Sequence, residues 1–114
     1  MIWLYLQAWI VTVIIEVPVV ALVFPGQRLR MACACLAATT VTHAFMHFAL
    51  PTLVPSFTLW VVIGEATALA VEAVVYALVS KPRSASRALV ASALANLLSF
   101  SAGLILLGGS SDPG

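Results

Sequence analysis

Charged side chains are scarce in this chain of 114 residues. There are five Lys or Arg and four Asp or Glu, 8% of the total. A soluble domain carries about a quarter charged residues, so a water-soluble globular fold is close to excluded. Polar residues are too few for intrinsic disorder, which needs low hydrophobicity and high net charge. Here 63% of residues are hydrophobic and the mean hydropathy is +1.15. No basic cluster exists and the net charge is only +1, so nothing suits a phosphate backbone and nucleic acid is not an expected partner. Cysteine is limited to Cys33 and Cys35. Two positions apart on a helix, they point to nearly opposite sides and cannot easily bridge each other. Their spacing is not a thioredoxin-like motif either. The length allows one domain, and the solvent that suits this composition is a lipid bilayer.

A spanning helix needs roughly 20 mostly apolar residues. Four stretches qualify, at about 2–24, 31–50, 57–79 and 88–107. The turn Pro25-Gly26-Gln27-Arg28-Leu29-Arg30 ends the first, and Pro51 and Pro55 close the second. The segment from Ser80 to Arg87 separates the third from the fourth, and the last residues form a polar, frayed tail. The connections are short, so neighbouring helices are antiparallel. The expected fold is an all-α integral membrane four-helix bundle of two tandem helical hairpins.

The basic residues orient it. Arg28 and Arg30 fall in the first connection, and Lys81, Arg83 and Arg87 in the third. An antiparallel bundle puts both on one face, and the positive-inside rule makes that face cytoplasmic with both termini outside. The expected location is the cytoplasmic (inner) membrane of a bacterium. A signal peptide does not fit the first segment, which lacks a basic n-region and is interrupted by Glu16. Trp3, Tyr5, Trp9 and Trp60 sit where an aromatic belt would lie at the outer interface.

The chain also reads twice. Glu16-Val-Pro-Val-Val-Ala-Leu-Val23 aligns without gaps on Glu72-Ala-Val-Val-Tyr-Ala-Leu-Val79, with Glu16, Val19, Ala21, Leu22 and Val23 matched identically. The same register pairs Thr40 with Asn96 and His43 with Ser99. Each half is a hairpin, and the two would be parallel repeats about an axis along the membrane normal.

Of the four acids, Glu16, Glu65 and Glu72 lie inside expected spans, as do both histidines, His43 and His47. Only Asp112 is expected in water. An Asp at the centre of a spanning helix costs roughly 2.5–3.5 kcal/mol on insertion scales, so such groups face the bundle interior and find partners. At about 1.5 Å rise per residue, Glu16, Glu72, Asn96 and Thr39 or Thr40 share one depth nearer the cytoplasm. Glu65, His43 and His47 share a second, outer depth. Met31, Cys35, Thr39, His43 and His47 recur every four residues along one stripe. Glu65 and Glu72 are seven apart, and Ala91, Ala95, Ser99 and Gly103 form a small-residue ladder suited to close helix packing. Pro18 would loosen the turn beside Glu16.

These residues support more than one chemistry. Glu16, Glu72, Asn96 and Thr39 could relay protons or ions, or Glu16 and Glu72 could share a proton and clasp the two hairpins together. Histidines at i and i+4 can bind one metal from one helix face. Glu65 could then serve as a third ligand to His43 and His47 in a site for a divalent transition metal. The plainer reading is two interfacial histidines, one bonded to Glu65. No His-Glu-x-x-His or Glu-x-x-His pattern accompanies them.

The early Glu-x-Pro at Glu16, the Thr-His at Thr42 and His43, and Glu65, Glu72 and Tyr76 in the third segment loosely resemble small four-helix bacterial inner-membrane proteins. That resemblance implies the fold and no activity. The membrane-embedded prenyl-protein proteases also use intramembrane Glu, His and Asn, but their paired Glu-Glu and His-x-x-x-Asn motifs are absent. Three functions stay open. One is binding or relay of protons or metal ions. Another is an accessory subunit of a larger membrane complex, or a homodimer. The third is an intramembrane metal-dependent hydrolase, with Glu16 or Glu72 as base.

Overall fold

The computed structural model describes residues 2–108. Asp112 and the polar tail, expected in solvent, lie outside the described residues. Among the described residues the chain is entirely helical, without strands. Helix α1 runs Ile2–Val23. Helix α2 runs Arg28–Leu53 and contains a π-helical stretch at Phe45–Ala49. Helix α3 runs Phe57–Val79. Helix α4 runs Ala85–Gly103 and continues as a π-helical turn over Leu104–Gly108. At about 1.5 Å per residue, the 23 residues of α3 reach past a hydrocarbon core of roughly 30 Å. All four helices are long and apolar enough to cross a membrane.

Local chemistry sets the ends. Phe24-Pro25-Gly26-Gln27 closes a turn in which the Gln27 N–H donates to the Phe24 carbonyl at 3.2 Å. Pro25 supplies the fixed φ of the first central position, and Gly26, at φ +97°, supplies the left-handed second. Ser56 and Ser84 cap α3 and α4 by accepting from the backbone N–H of Leu59 (3.3 Å) and Arg87 (3.2 Å). The serine cap starts α4 three residues before the expected Ala88, which places Arg87 inside its first turn. Gln27 ties the two basic connections together. Its amide donates to the Lys81 carbonyl (2.9 Å) and accepts from the Lys81 N–H (2.8 Å).

The second helix departs from expectation at its C-terminal end. It was expected to stop at Leu50, before Pro51, but it continues to Leu53. The π-helical register explains this. The Leu50 N–H donates to the Phe45 carbonyl, five residues back, which leaves the Met46 carbonyl without its α-helical donor. The Trp60 indole of α3 donates to that carbonyl at 2.7 Å. Pro51 then sits at the start of a fresh turn, where a missing N–H is tolerated.

The helices pack in a ring, α1 against α2 and α4, and α3 against α2 and α4. Their buried positions recur between the two halves. Thr12, Glu16, Val20 and Phe24 are buried, and so are Ala68, Glu72, Tyr76 and Ser80, each 56 positions on. Met31, Cys35, Ala38, Thr39 and Thr42 are buried, and so are Ala88, Ser92, Ala95, Asn96 and Ser99, each 57 positions on. Within these stretches Ala91 is the one addition, and Met46, Leu50 and Gly64 are buried beyond them. The third connection is therefore one residue longer than the first. By burial Asn96 matches Thr39 rather than Thr40, and Ser99 matches Thr42 rather than His43.

Candidate functional site

Glu16 of α1 and Glu72 of α3 are each 1% exposed, and their carboxyl groups lie close enough to influence each other. Each takes one donor from its own half of the chain and one from the other. Thr39 donates to Glu16 Oε1 at 3.3 Å, and Ser99 donates to Glu16 Oε2. Asn96 Nδ2 donates to Glu72 Oε1 at 3.0 Å, and Thr42 donates to Glu72 Oε2 at 3.1 Å. All four helices meet at this one polar knot. The expected inner layer of Glu16, Glu72, Asn96 and Thr39 is assembled, although its members come from four separate helices.

Ser99 and Thr42 were missed as carboxyl partners. Ser99 reads as one more small residue of the packing ladder, and Thr42 is overshadowed by its neighbour His43. The available signal was their spacing. Each lies three positions after a residue already assigned to the layer, hence on the same helix face. Thr40 has a different job. It donates to the Leu36 carbonyl (2.7 Å) and accepts from the Trp9 indole (3.0 Å). Trp9 and Trp60 thus both spend their N–H inside the bundle, on Thr40 and the Met46 carbonyl, while Trp3 is exposed.

Below the knot, toward the basic connections, the interior is filled. Val20, Phe24, Met31, Cys35, Tyr76 and Ala88 form a closely packed core, each 1% exposed or less. Cys35 touches Thr39 at 3.7 Å (Sγ to Oγ1), and the Tyr76 hydroxyl is buried with no hydrogen-bond partner. Cys33 is exposed, and both thiols are free.

Above the knot the bundle is hollow. A cavity of about 430 Å³ is lined by Glu16, Glu72, Asn96 and Ser99 at one end. His43, His47, Trp60 and Glu65 line its walls. Its exposed lining residues, Phe57, Thr58, Val62 and Leu104, lie toward the end of the bundle opposite the basic connections and mark its mouth. Inner and outer layers, separate in sequence terms, share one space.

The outer layer is not a compact cluster. The rings of His43 and His47 stack at 5.5 Å with an interplanar angle of 20°, and His47 meets Trp60 and Tyr5 edge-on at 5.6 and 5.5 Å. Buried His43 Nδ1 has no partner. No hydrogen bond joins Glu65 to either histidine among the described residues. Nor, among them, does any group of three His, Cys, Asp or Glu side chains have the proximity to hold a metal ion. His43, His47 and Glu65 share a cavity but are not gathered as a three-ligand set. Their spacing brings two imidazoles face to face, and α3 holds the carboxyl away from them.

Comparison of the chain with protein-family models, with curated proteins and with solved structures finds no match.

Proposed function

We propose that this chain is a four-helix protein of the bacterial cytoplasmic membrane that binds protons at a paired-carboxyl site and relays them from one membrane face. The carrying observation is the burial of Glu16 beside Glu72, with no basic residue near, at the closed end of the cavity. Carboxylate oxygens only accept hydrogen bonds, so two such groups buried side by side need a proton between them. Thr39, Thr42, Asn96 and Ser99 satisfy the outer oxygens and hold the pair in place. No Lys or Arg occurs within reach along these helices, so a proton is the natural counter-charge. The open cavity on one side and the packed core on the other give the site access from a single face.

The membrane reading rests on the outward surface. Ile14, Leu22, Val41, Val62, Leu78 and Leu97 are all exposed, and soluble monomers rarely expose continuous apolar patches of more than a few hundred Å². The basic connections would face the cytoplasm and the cavity mouth the outside. Parallel repeats are supported by the recurrence of buried positions and by the exchange of donors between halves.

Infrared difference spectroscopy on the purified protein tests the site. A protonated carboxyl band that shifts in heavy water is expected. It should vanish or move in both Glu16→Gln and Glu72→Gln, and survive in Glu65→Gln. A spectrum with no such band at any pH from acid to alkaline would sink the proposal.

A further inference from the structure

The cavity holds far more space than a proton needs. Its 430 Å³ falls within the roughly 300–1,000 Å³ of small-molecule sites. The lining is sharply divided. Trp60, Phe57, Phe100 and His47 form aromatic walls, while Glu16, Glu72 and Glu65 are carboxylic and no Lys or Arg contributes. Aromatic faces attract cations placed over them. Two carboxyl groups that share one proton keep about six acceptor positions, of which side-chain donors of this chain fill four. The buried Nδ1 of His43, on the same wall, is unpartnered. A metal ion would leave the aromatic length of the cavity unused, and the gathered ligands it needs are absent among the described residues.

We infer that the cavity is a binding site for a lipophilic ammonium ion. Its apolar or aromatic body would lie against Trp60, Phe57 and Phe100. Its N–H groups would donate to the Glu16 and Glu72 carboxyls and to His43. The inference rests on the paired-carboxyl reading and names the ligand class of the same site. Besides the pair itself, the titratable groups facing it are Cys35 and His43 from α2, and Glu65 and Tyr76 from α3. The facing residues of α4 are Asn96, Ser99 and Phe100, none of which titrates.

Calorimetry on the full chain in detergent tests this with four probes. Phenethylammonium has the body and the charge. Propylbenzene has the body alone, phenylpropionate has the body with the opposite charge, and methylammonium has the charge alone. Phenethylammonium is expected to bind at least tenfold more tightly than each of the other three, after subtraction of micelle partitioning. Its affinity should fall at least tenfold in Glu72→Gln. The four-probe comparison uses only the wild-type protein, so it stands even where that variant fails to fold. Equal binding of propylbenzene would overturn the inference, because the cavity would then be a purely apolar pocket. Equal binding of methylammonium would overturn it by removing the role of the aromatic walls. Absence of binding with the carboxyl band intact would refute the ligand class and leave the proton site standing. Absence of the band would refute the paired-carboxyl reading itself.

Discussion

Replacing Asn96 by alanine removes the amide that links Glu72 to α4. The Asn96 side chain makes three contacts from one nitrogen: to Glu72 Oε1 at 3.0 Å, to the Ser92 carbonyl at 2.8 Å and to Ser92 Oγ at 3.3 Å. That nitrogen carries two hydrogens, so two bonds are strong and the longest is shared. The bond to the Ser92 carbonyl is local, within one helical turn, and its loss changes little between folded and unfolded states. The bond to Glu72 joins α3 to α4 and is the one that counts. Interhelical hydrogen bonds in membrane proteins average about 0.6 kcal/mol and reach about 1.7 kcal/mol. Asn96 already lines the cavity, so truncation enlarges an existing space and adds little of the void penalty seen in sealed cores. The expected destabilisation is therefore about 0.5–1.5 kcal/mol. It should appear as coupling in a double-mutant cycle with Glu72→Ala, which removes the acceptor oxygen that a glutamine would keep. Reversible unfolding in mixed detergent, followed by Trp9 and Trp60 fluorescence, measures all four corners. Coupling below about 0.3 kcal/mol, the additivity of independent sites, would show that the two side chains do not act as a pair, and the clasp would be refuted.

Trp60→Phe keeps the ring and deletes the indole N–H, leaving the Met46 carbonyl of the π-helical turn unpaired. A loss of about 1–3 kcal/mol is expected in the same unfolding assay, and a neutral result would mean that the carbonyl finds water. Gly64→Ala places a Cβ 2.8–3.0 Å from the Met46 side chain, so Met46 must move. Destabilisation of about 1–3 kcal/mol is expected, with most of it relieved by Met46→Ala in the same chain. Membrane sidedness is checked by thiol labelling of intact cells, in a chain with Cys33 and Cys35 replaced by serine. A cysteine at Ser56 should react with an impermeant reagent and one at Arg83 should not; the reverse pattern would invert the topology.

Much of the architecture was legible in the residues. Nine charged side chains in 114 and four long apolar runs lead to the expectation of membrane-crossing helices, and four helices long and apolar enough to cross a membrane form. The short connections determined which ends of the helices lie together, and both basic connections fall at one of those ends. Gln27 then pairs with Lys81 across those connections, as that arrangement requires. The helix boundaries were less legible. Pro51 is a stop signal when read alone, and it was overridden by a π-helical turn whose freed carbonyl is taken by Trp60, a residue of another helix.

The site divided in the same way. Glu16, Glu72, Asn96 and Thr39 share a depth, and depth follows from residue count and helical rise, both local quantities. Which oxygen meets which donor does not follow from them. That Ser99 reaches Glu16 across 83 positions, or that Thr42 serves Glu72 rather than Glu16, depends on the angles at which four helices cross. His43, His47 and Glu65 make the limit plain. Their spacing along two helices permits a shared metal, and only the packing of α3 against α2 sets the carboxyl apart from the stacked imidazoles. The sequence by itself determined the helices, their apolar surface, the two basic ends and the position of each buried acid along its helix, because composition and periodicity act residue by residue. Only the tertiary structure decided that the acids lie side by side, which hydroxyls hold them and that a cavity leads to them, because those depend on contacts between segments far apart in the chain.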